Sequence, residues 1–358
     1  MSASVVGRLL SGLAENAVLG LGEPTHGTAE AFAVKLEVIH ELARSGRLAM
    51  MAVEESFTVG LGVDAALRGE GDLDAAWDRG SSLWDTVTIR EGLRTLRTIT
   101  ETFPRERRPR FLGVDISKPY RTARALQDRG ARSPVLDAVA SRADLPADAV
   151  TELISLCRTF ESVEDSVTAG LARNLRRHAD AYLLAPHLSR LHRRDTHMAD
   201  TLLENLPRRG ITVLWAHNEH LARNPEGWGD GPTMGHLLDR ALGERYVSVG
   251  MLCGQGECRA VDPSTGSDDY AAVPLPPLHA DTTDHALAQL GTPFVTGEEF
   301  THPGPRRFIG WQVDTSLFDD ARDVRDTFEM RRPSTDFWAL VHLPRSTADV
   351  TAARAEPQ

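Results

Sequence analysis

Glu23 and His26 stand three residues apart in Gly22-Glu23-Pro24-Thr25-His26-Gly27, directly after an apolar run. A histidine held by a carboxylate can serve as a general base toward water, the carboxylate fixing its tautomer. Three further apolar runs release titratable groups in the same way: Glu54 with Glu55, Asp115, and His217 with His220. Gathered in one pocket, such carboxylates would disfavour one another's ionised forms and favour protonated imidazole, displacing their pKa values. The spacing of His217 and His220 can also place two imidazoles on one metal, with Glu23, Glu54 or Asp115 completing the set. A metal-dependent hydrolase therefore stands as an alternative, although the motif is neither H-E-x-x-H nor H-x-x-E-H. The chain contains no G-x-S-x-G, so the nucleophile elbow of a serine hydrolase is missing. It also lacks a glycine-rich phosphate loop after any strand. Hydrolysis here would use activated water rather than an acyl-enzyme serine.

The elements that would position these groups are legible in the hydrophobic pattern. Runs 17–22, 48–53, 111–114 and 211–215 are short, apolar and without alternation, as expected of strands buried on both faces. Between the first two, Ala29, Phe32, Ala33, Leu36, Ile39, His40 and Ala43 recur at helical spacing, with Gly46 closing the helix. Strand, helix, strand at these lengths implies a βαβ unit and a parallel sheet, whose ligands bind beyond the carboxyl ends of the strands. Later runs, 246–252, 293–296, 308–313 and 337–343, supply further strands, the last of them as antiparallel edges. Residues 120–206 read as almost wholly helical, far longer than a crossover needs. Segment 261–283, rich in Asp, Pro, Ser and Thr, reads as a long surface loop. The expected architecture is an α/β fold, a mostly parallel central sheet flanked by helices, with a helical subdomain over an active-site cleft. Residues 1–118 and 207–345 form the core, 119–206 the insertion, and 346–358 a flexible tail.

Length and composition bound the rest. At 358 residues the chain suits two units, or one large domain with an insertion. A net charge of −11 argues against partners such as nucleic acid or an anionic membrane. The first 22 residues form no continuous apolar core of a signal peptide, and no stretch approaches the roughly 18 apolar residues of a membrane helix. Three cysteines, Cys157, Cys253 and Cys258, make no disulfide framework and suit a reducing cytoplasm, with inert thiols. Trp84 is either a core aromatic or a wall of an apolar ligand pocket, and Arg90 follows it closely. Arg194 and Asp195 form either a solvated charged face or a pocket-facing ion pair.

Taken together, several blocks resemble the erythromycin esterase-like family. They are Leu21-Gly22-Glu23-Pro24-Thr25-His26-Gly27-Thr28 with Glu30 and Lys35 following, Val53-Glu54, Leu83-Trp84-Asp85-Thr86 and Gly113-Val114-Asp115. Arg194-Asp195-Thr196-His197-Met198-Ala199, Trp215-Ala216-His217-Asn218-Glu219-His220-Leu221 and Met234-Gly235-His236-Leu237 continue it to about residue 255. The resemblance implies water-mediated opening of a macrolactone ester, with no covalent intermediate, cofactor or required metal. It implies His26 as general base, Glu23 and Glu54 as the carboxylates orienting it and the water, and His217 as a second essential histidine beside His220. It further implies that Lys35 steadies a developing oxyanion and that Asp115 and Arg194 support the site. Glu30, Glu55, Trp84, Arg90 and His220 complete the expected substrate contacts, and part of the cleft wall is expected beyond residue 255. The leading expectation is a metal-independent hydrolase of an apolar ester or lactone. The alternatives are a cyclase, lyase or transesterase on the same acid–base pair, the metal-dependent hydrolase above, or a non-catalytic binding cleft.

Overall fold

A computed structural model describes residues 2–80, 82–227, 231–300, 302, 304–319 and 336–352. Its centre is a sheet with strands β1 (Val18–Leu21), β2 (Leu48–Ser56), β3 (Arg110–Asp115), β4 (Ile211–Trp215), β5 (Tyr246–Ala260), β6 (Ala271–Pro274), β7 (Phe294–Thr296) and β8 (Ala339–Ser346). The strand order is β3-β2-β4-β1-β5-β8-β7, with β6 paired to the far end of β5. From β3 to β8 every pairing is parallel; β7 against β8 and β6 against β5 are antiparallel.

Continuous apolar runs serve such strands because both faces are covered. Leu19, Leu21, Met51, Val53, Val213 and Trp215 enter one hydrophobic cluster with the helices Ala29–Arg44 and Val87–Thr100. Their neighbours Val18, Met50, Ala52 and Leu214 point the other way, into a second cluster with the helices of residues 119–205. Burying each such Leu or Val stabilises the fold by about 1.5–3 kcal/mol, so both layers are bound firmly to the sheet. The helical segment between β3 and β4 thus shares its core with the sheet, and its last helix, Arg190–Asn205, runs over the strand ends.

Several expectations are corrected. The run at 337–343 forms β8, an interior parallel strand, while 293–296 is the antiparallel edge. Residues 308–313 form no strand; Gln312 makes an isolated bridge to Val261, and Ile309 and Val313 pack into the core beside the sheet. Within 261–283, β6 folds back on β5, so that segment is not a plain loop. Residues 347–352, expected as the start of a tail, are tied down instead. Ala29 N–H donates to Thr347 O at 3.0 Å, Asp349 N–H to Gly27 O at 3.0 Å and Ala352 N–H to Asp85 O at 3.1 Å. The remainder of that tail, 353–358, lies outside the described residues. The three cysteines are free and buried, and no described helix is long and apolar enough to cross a membrane.

Candidate active site

The carboxyl ends of β1, β2, β3 and β4 converge, and the side chains released there meet. The turn after β1 is built locally. Pro24 lacks an N–H, Thr25 Oγ1 accepts from Gly27 N–H at 2.9 Å, and the helix begins at Ala29. Gly22 is demanded by proximity: a Cβ there would lie 2.1 Å from Asn218 Oδ1. Asn218 in turn clamps the turn after β4 onto β5, with Nδ2 donating to Met251 O at 2.7 Å and Oδ1 accepting from Met251 N–H at 3.0 Å.

Glu23 is fully buried and receives three donors. His26 Nδ1 lies 2.7 Å from Oε1, while Lys35 Nζ at 2.7 Å and Trp215 Nε1 at 2.9 Å share Oε2. An ionised carboxylate accepts and does not donate, so Nδ1 carries the proton and Nε2 carries the lone pair. The ring is fixed in place by Trp84, edge-on at 4.9 Å, and by His217 at 4.9 Å. Its residue keeps 7% exposure, and Nε2 has no hydrogen-bond partner among the described residues. Trp84 is a core aromatic, 1% exposed, packed against the histidine, with its Nε1–H on Glu54 O at 3.2 Å.

β2 changes register between Val53 and Ser56, and its two consecutive glutamates diverge. Glu54 meets His220 Nε2 at 3.0 Å and Arg194 Nη2 at 2.9 Å through Oε1, and accepts from His217 N–H through Oε2 at 3.0 Å. Glu55 accepts from Ser56 N–H at 2.6 Å and from Lys118 Nζ at 2.8 Å. Arg194 spreads its planar fork over two carboxylates, reaching Asp115 with Nε at 2.9 Å and Nη2 at 3.0 Å. His220 Nδ1 donates to Asp195 Oδ1 at 2.6 Å, and Asp195 also accepts from Met234 N–H at 2.8 Å.

These contacts set the protonation states. Burial opposes a charge on His220, but Asp195 and Glu54 outweigh it and lift the imidazole to about 10. Burial likewise pushes the Glu54 carboxyl up, and His220 and then Arg194 hold it well below its usual range. Asp115 is held low against burial by Arg194. His217 behaves oppositely: burial, then the neighbouring His26, keep its pKa well below the usual imidazole value. It is a neutral donor, Nδ1 accepting from Glu219 N–H at 3.3 Å and Nε2–H facing Pro24 O at 3.3 Å and Ile309 O at 3.2 Å. The site thus holds a carboxylate–histidine pair, a neutral histidine beside it, and a charged Asp195–His220–Glu54–Arg194–Asp115 chain behind.

Three expected substrate contacts lie elsewhere. Lys35 is sealed beneath Glu23 against the Trp215 ring, its ammonium lowered to about 8 by burial and partly restored by Glu23, so it does not face an oxyanion. Glu30 binds Thr347 through its N–H at 2.8 Å and its hydroxyl, anchoring the C-terminal strap. Arg90 is buried in ion pairs with Asp85, Asp78 and Asp74 and braces the Trp84 segment. The metal alternative meets a geometric obstacle: both nitrogens of His220 already face carboxylates, and His217 Nδ1 faces a backbone donor. Among the described residues no group of three or more His, Cys, Asp or Glu is placed to hold a metal ion.

The sequence left Asp195 open between a solvated face and a pocket-facing ion pair, and it missed Trp215 as a donor to Glu23 and the wall formed by residues 306–309. Asp195 was findable, since it lies one turn before the buried Met198 and Ala199 on the same helix. The wall was not. Arg306, fully buried, grips Glu219 bidentately and Asp336 at 2.6 Å, which lays Phe308 edge-on to His217 at 5.1 Å. Those partners are 87 and 30 residues away in the chain.

No curated protein sequence matches the chain. Among solved structures, a protein from Bacillus cereus superposes with a TM-score of 0.76 at 17% identity, covering 99% of this chain and 94% of that one. A succinoglycan biosynthesis protein gives 0.73 at 16%, covering 94% and 90%. A mutant of the erythromycin esterase EreC in its open conformation gives 0.66 at 14%, covering 96% and 94%. At these identities the likeness shows a shared fold. The erythromycin esterase family profile matches residues 48–346, beginning after the Glu23–His26 turn and running well beyond residue 255. With most of its length matched, the chain belongs to the erythromycin esterase family, a membership that suggests a hydrolase related to macrolide esterases.

Proposed function

We propose that the protein hydrolyses a carboxylic ester or lactone of an apolar small molecule, with His26 activating water. The observation that carries this reading is the Glu23–His26 pair: a buried carboxylate 2.7 Å from Nδ1, leaving Nε2 unprotonated and unengaged among the described residues. Water held at Nε2 gives up a proton to the imidazole as its oxygen attacks the acyl carbon. The imidazolium then protonates the departing alkoxide, releasing a carboxylic acid and an alcohol. Glu23 and the ionised Glu54 favour the transient positive charge on His26. The neutral His217, its ring 4.9 Å from that of His26, supplies a donor for the carbonyl oxygen. Asp115, Arg194 and His220 hold Glu54 in place.

The test is a panel of macrolides and smaller lactones incubated with the purified chain in heavy-oxygen water and read by mass spectrometry. The expected product gains one water whose oxygen is heavy, and His26→Ala abolishes it while leaving the fold intact. A product of unchanged mass would instead indicate cyclisation or elimination, and wild-type turnover by His26→Ala would remove the base from the reaction.

A further inference from the structure

The strands that deliver the candidate site at their carboxyl ends carry a different chemistry at their amino ends. β3, β2 and β4 are adjacent and parallel, with Leu48 opposite Ile211 and Met50 opposite Arg110, so their entry turns line one edge of the sheet. Gly46 and Gly210 make those turns in left-handed backbone, at φ of 68° and 80°, and place Arg47 and Arg209 directly beside the strand starts. The approach to β3 contributes Arg105, Arg107, Arg108 and Arg110, and the C-terminal end of the helix after β2, Phe57–Leu67, contributes Arg68. Together these seven arginines line a cavity of about 900 Å³.

Its charge is not neutralised internally. Glu15 and Glu106 are the acids in the wall. Behind it, Asp64 pairs with Arg110 at 2.9 Å and with Arg68 at 3.7 Å, and Glu70 pairs with Arg105. Arg108 donates to the carbonyls of Phe103 at 3.1 Å and Glu101 at 2.7 Å. Arg47 gives one Nη to Leu13 O at 3.3 Å. The Arg68 Nε is buried without a hydrogen-bond partner, and Arg107 and Arg209 make no side-chain hydrogen bond or ion pair among the described residues. Seven guanidiniums against four carboxylates leave about three positive charges concentrated in one hollow of a chain whose net charge is −11. Guanidinium forks match phosphate oxygens two at a time. The cavity is of ligand size, and among the described residues no aromatic ring lines it on which a nucleobase could stack.

We propose that this amino-end cavity is a second, non-catalytic site that binds the oligophosphate group of a small molecule, recognising phosphate rather than base. Along β2 it lies about 20 Å from Glu54, at about 3.3 Å per strand residue, so it is separate from the His26 site.

Isothermal titration of the full chain with inorganic tripolyphosphate, pyrophosphate and ATP at 150 mM salt tests this. Saturable one-to-one binding of tripolyphosphate is expected, weaker for pyrophosphate and comparable for ATP. The double variant R107Q/R209Q should weaken tripolyphosphate binding by about tenfold or more, both side chains being exposed and unpaired so that folding is spared. R94Q, removing an exposed arginine paired to Asp74 elsewhere, should leave it unchanged. E54Q should also bind tripolyphosphate normally, whatever becomes of ester hydrolysis. Absence of saturable binding, equal binding by R107Q/R209Q, or ATP binding far tighter than tripolyphosphate would overturn the proposal.

Discussion

Replacing Glu23 by glutamine tests the catalytic reading with the least disturbance of shape. Three donors converge on this side chain: His26 Nδ1–H on Oε1, and Lys35 Nζ with Trp215 Nε1–H on Oε2. Glutamine offers one acceptor and one NH₂ donor, so one side must face a donor with a donor. If the NH₂ faces Lys35 and Trp215, a buried ammonium loses its partner, at about 3–5 kcal/mol. If it faces His26, the imidazole need only shift its proton to Nε2, so this arrangement wins. That tautomer has no lone pair toward the water, and replacing a tautomer-fixing carboxylate by its amide lowers kcat by about 10⁴-fold in serine proteases. The same order of loss is expected in Glu23→Gln, with folding retained and no rescue at higher pH. Steady-state hydrolysis across pH, with nitrogen NMR of the His26 ring, reads both the rate and the tautomer. Turnover within tenfold of wild type, or an inactive variant whose proton is still on Nδ1, would refute the reasoning.

Other outcomes follow from the same contacts. His178, buried and lowered to about 4, must take up a proton on unfolding below pH 6.5, so stability to urea should rise between pH 4 and 6.5. His220, raised to about 10, contributes stability that is complete below 6.5 and lost as pH climbs through 10. A fall of about 2 kcal/mol from pH 6.5 to 8 is expected, flattening above 8 as the lowered Lys35 pulls oppositely; a steady rise to pH 8 would contradict this. Asp195→Asn should drop the His220 pKa by more than one unit, seen by NMR titration, because Glu54 then remains as its one anionic neighbour among the contacts described. Gly27→Ala would place a Cβ 2.1 Å from the Arg259 carbonyl oxygen, displacing the His26 turn. A loss of about 1–3 kcal/mol in denaturant midpoints and slower turnover should accompany it.

Much of this protein is written locally. Uniformly apolar runs at 17–22, 48–53 and 211–215 read as strands covered on both faces, and parallel strands present their carboxyl ends together. Hence the meeting of Glu23, Glu54, Asp115 and His217 was legible from chain order alone. What each group does there was not. The family resemblance implied an oxyanion role for Lys35, yet helix Ala29–Arg44 turns it inward, beneath Glu23. His217 and His220 looked equivalent at a spacing of three, but one lies against backbone carbonyls and stays neutral while the other lies between two carboxylates and stays charged. Arg306 and the strap at 347–352 depend on partners dozens to hundreds of residues away. Periodicity records which face is buried, whereas protonation and hydrogen-bond partnership depend on the neighbours that the folded chain supplies, and those are set by tertiary contact.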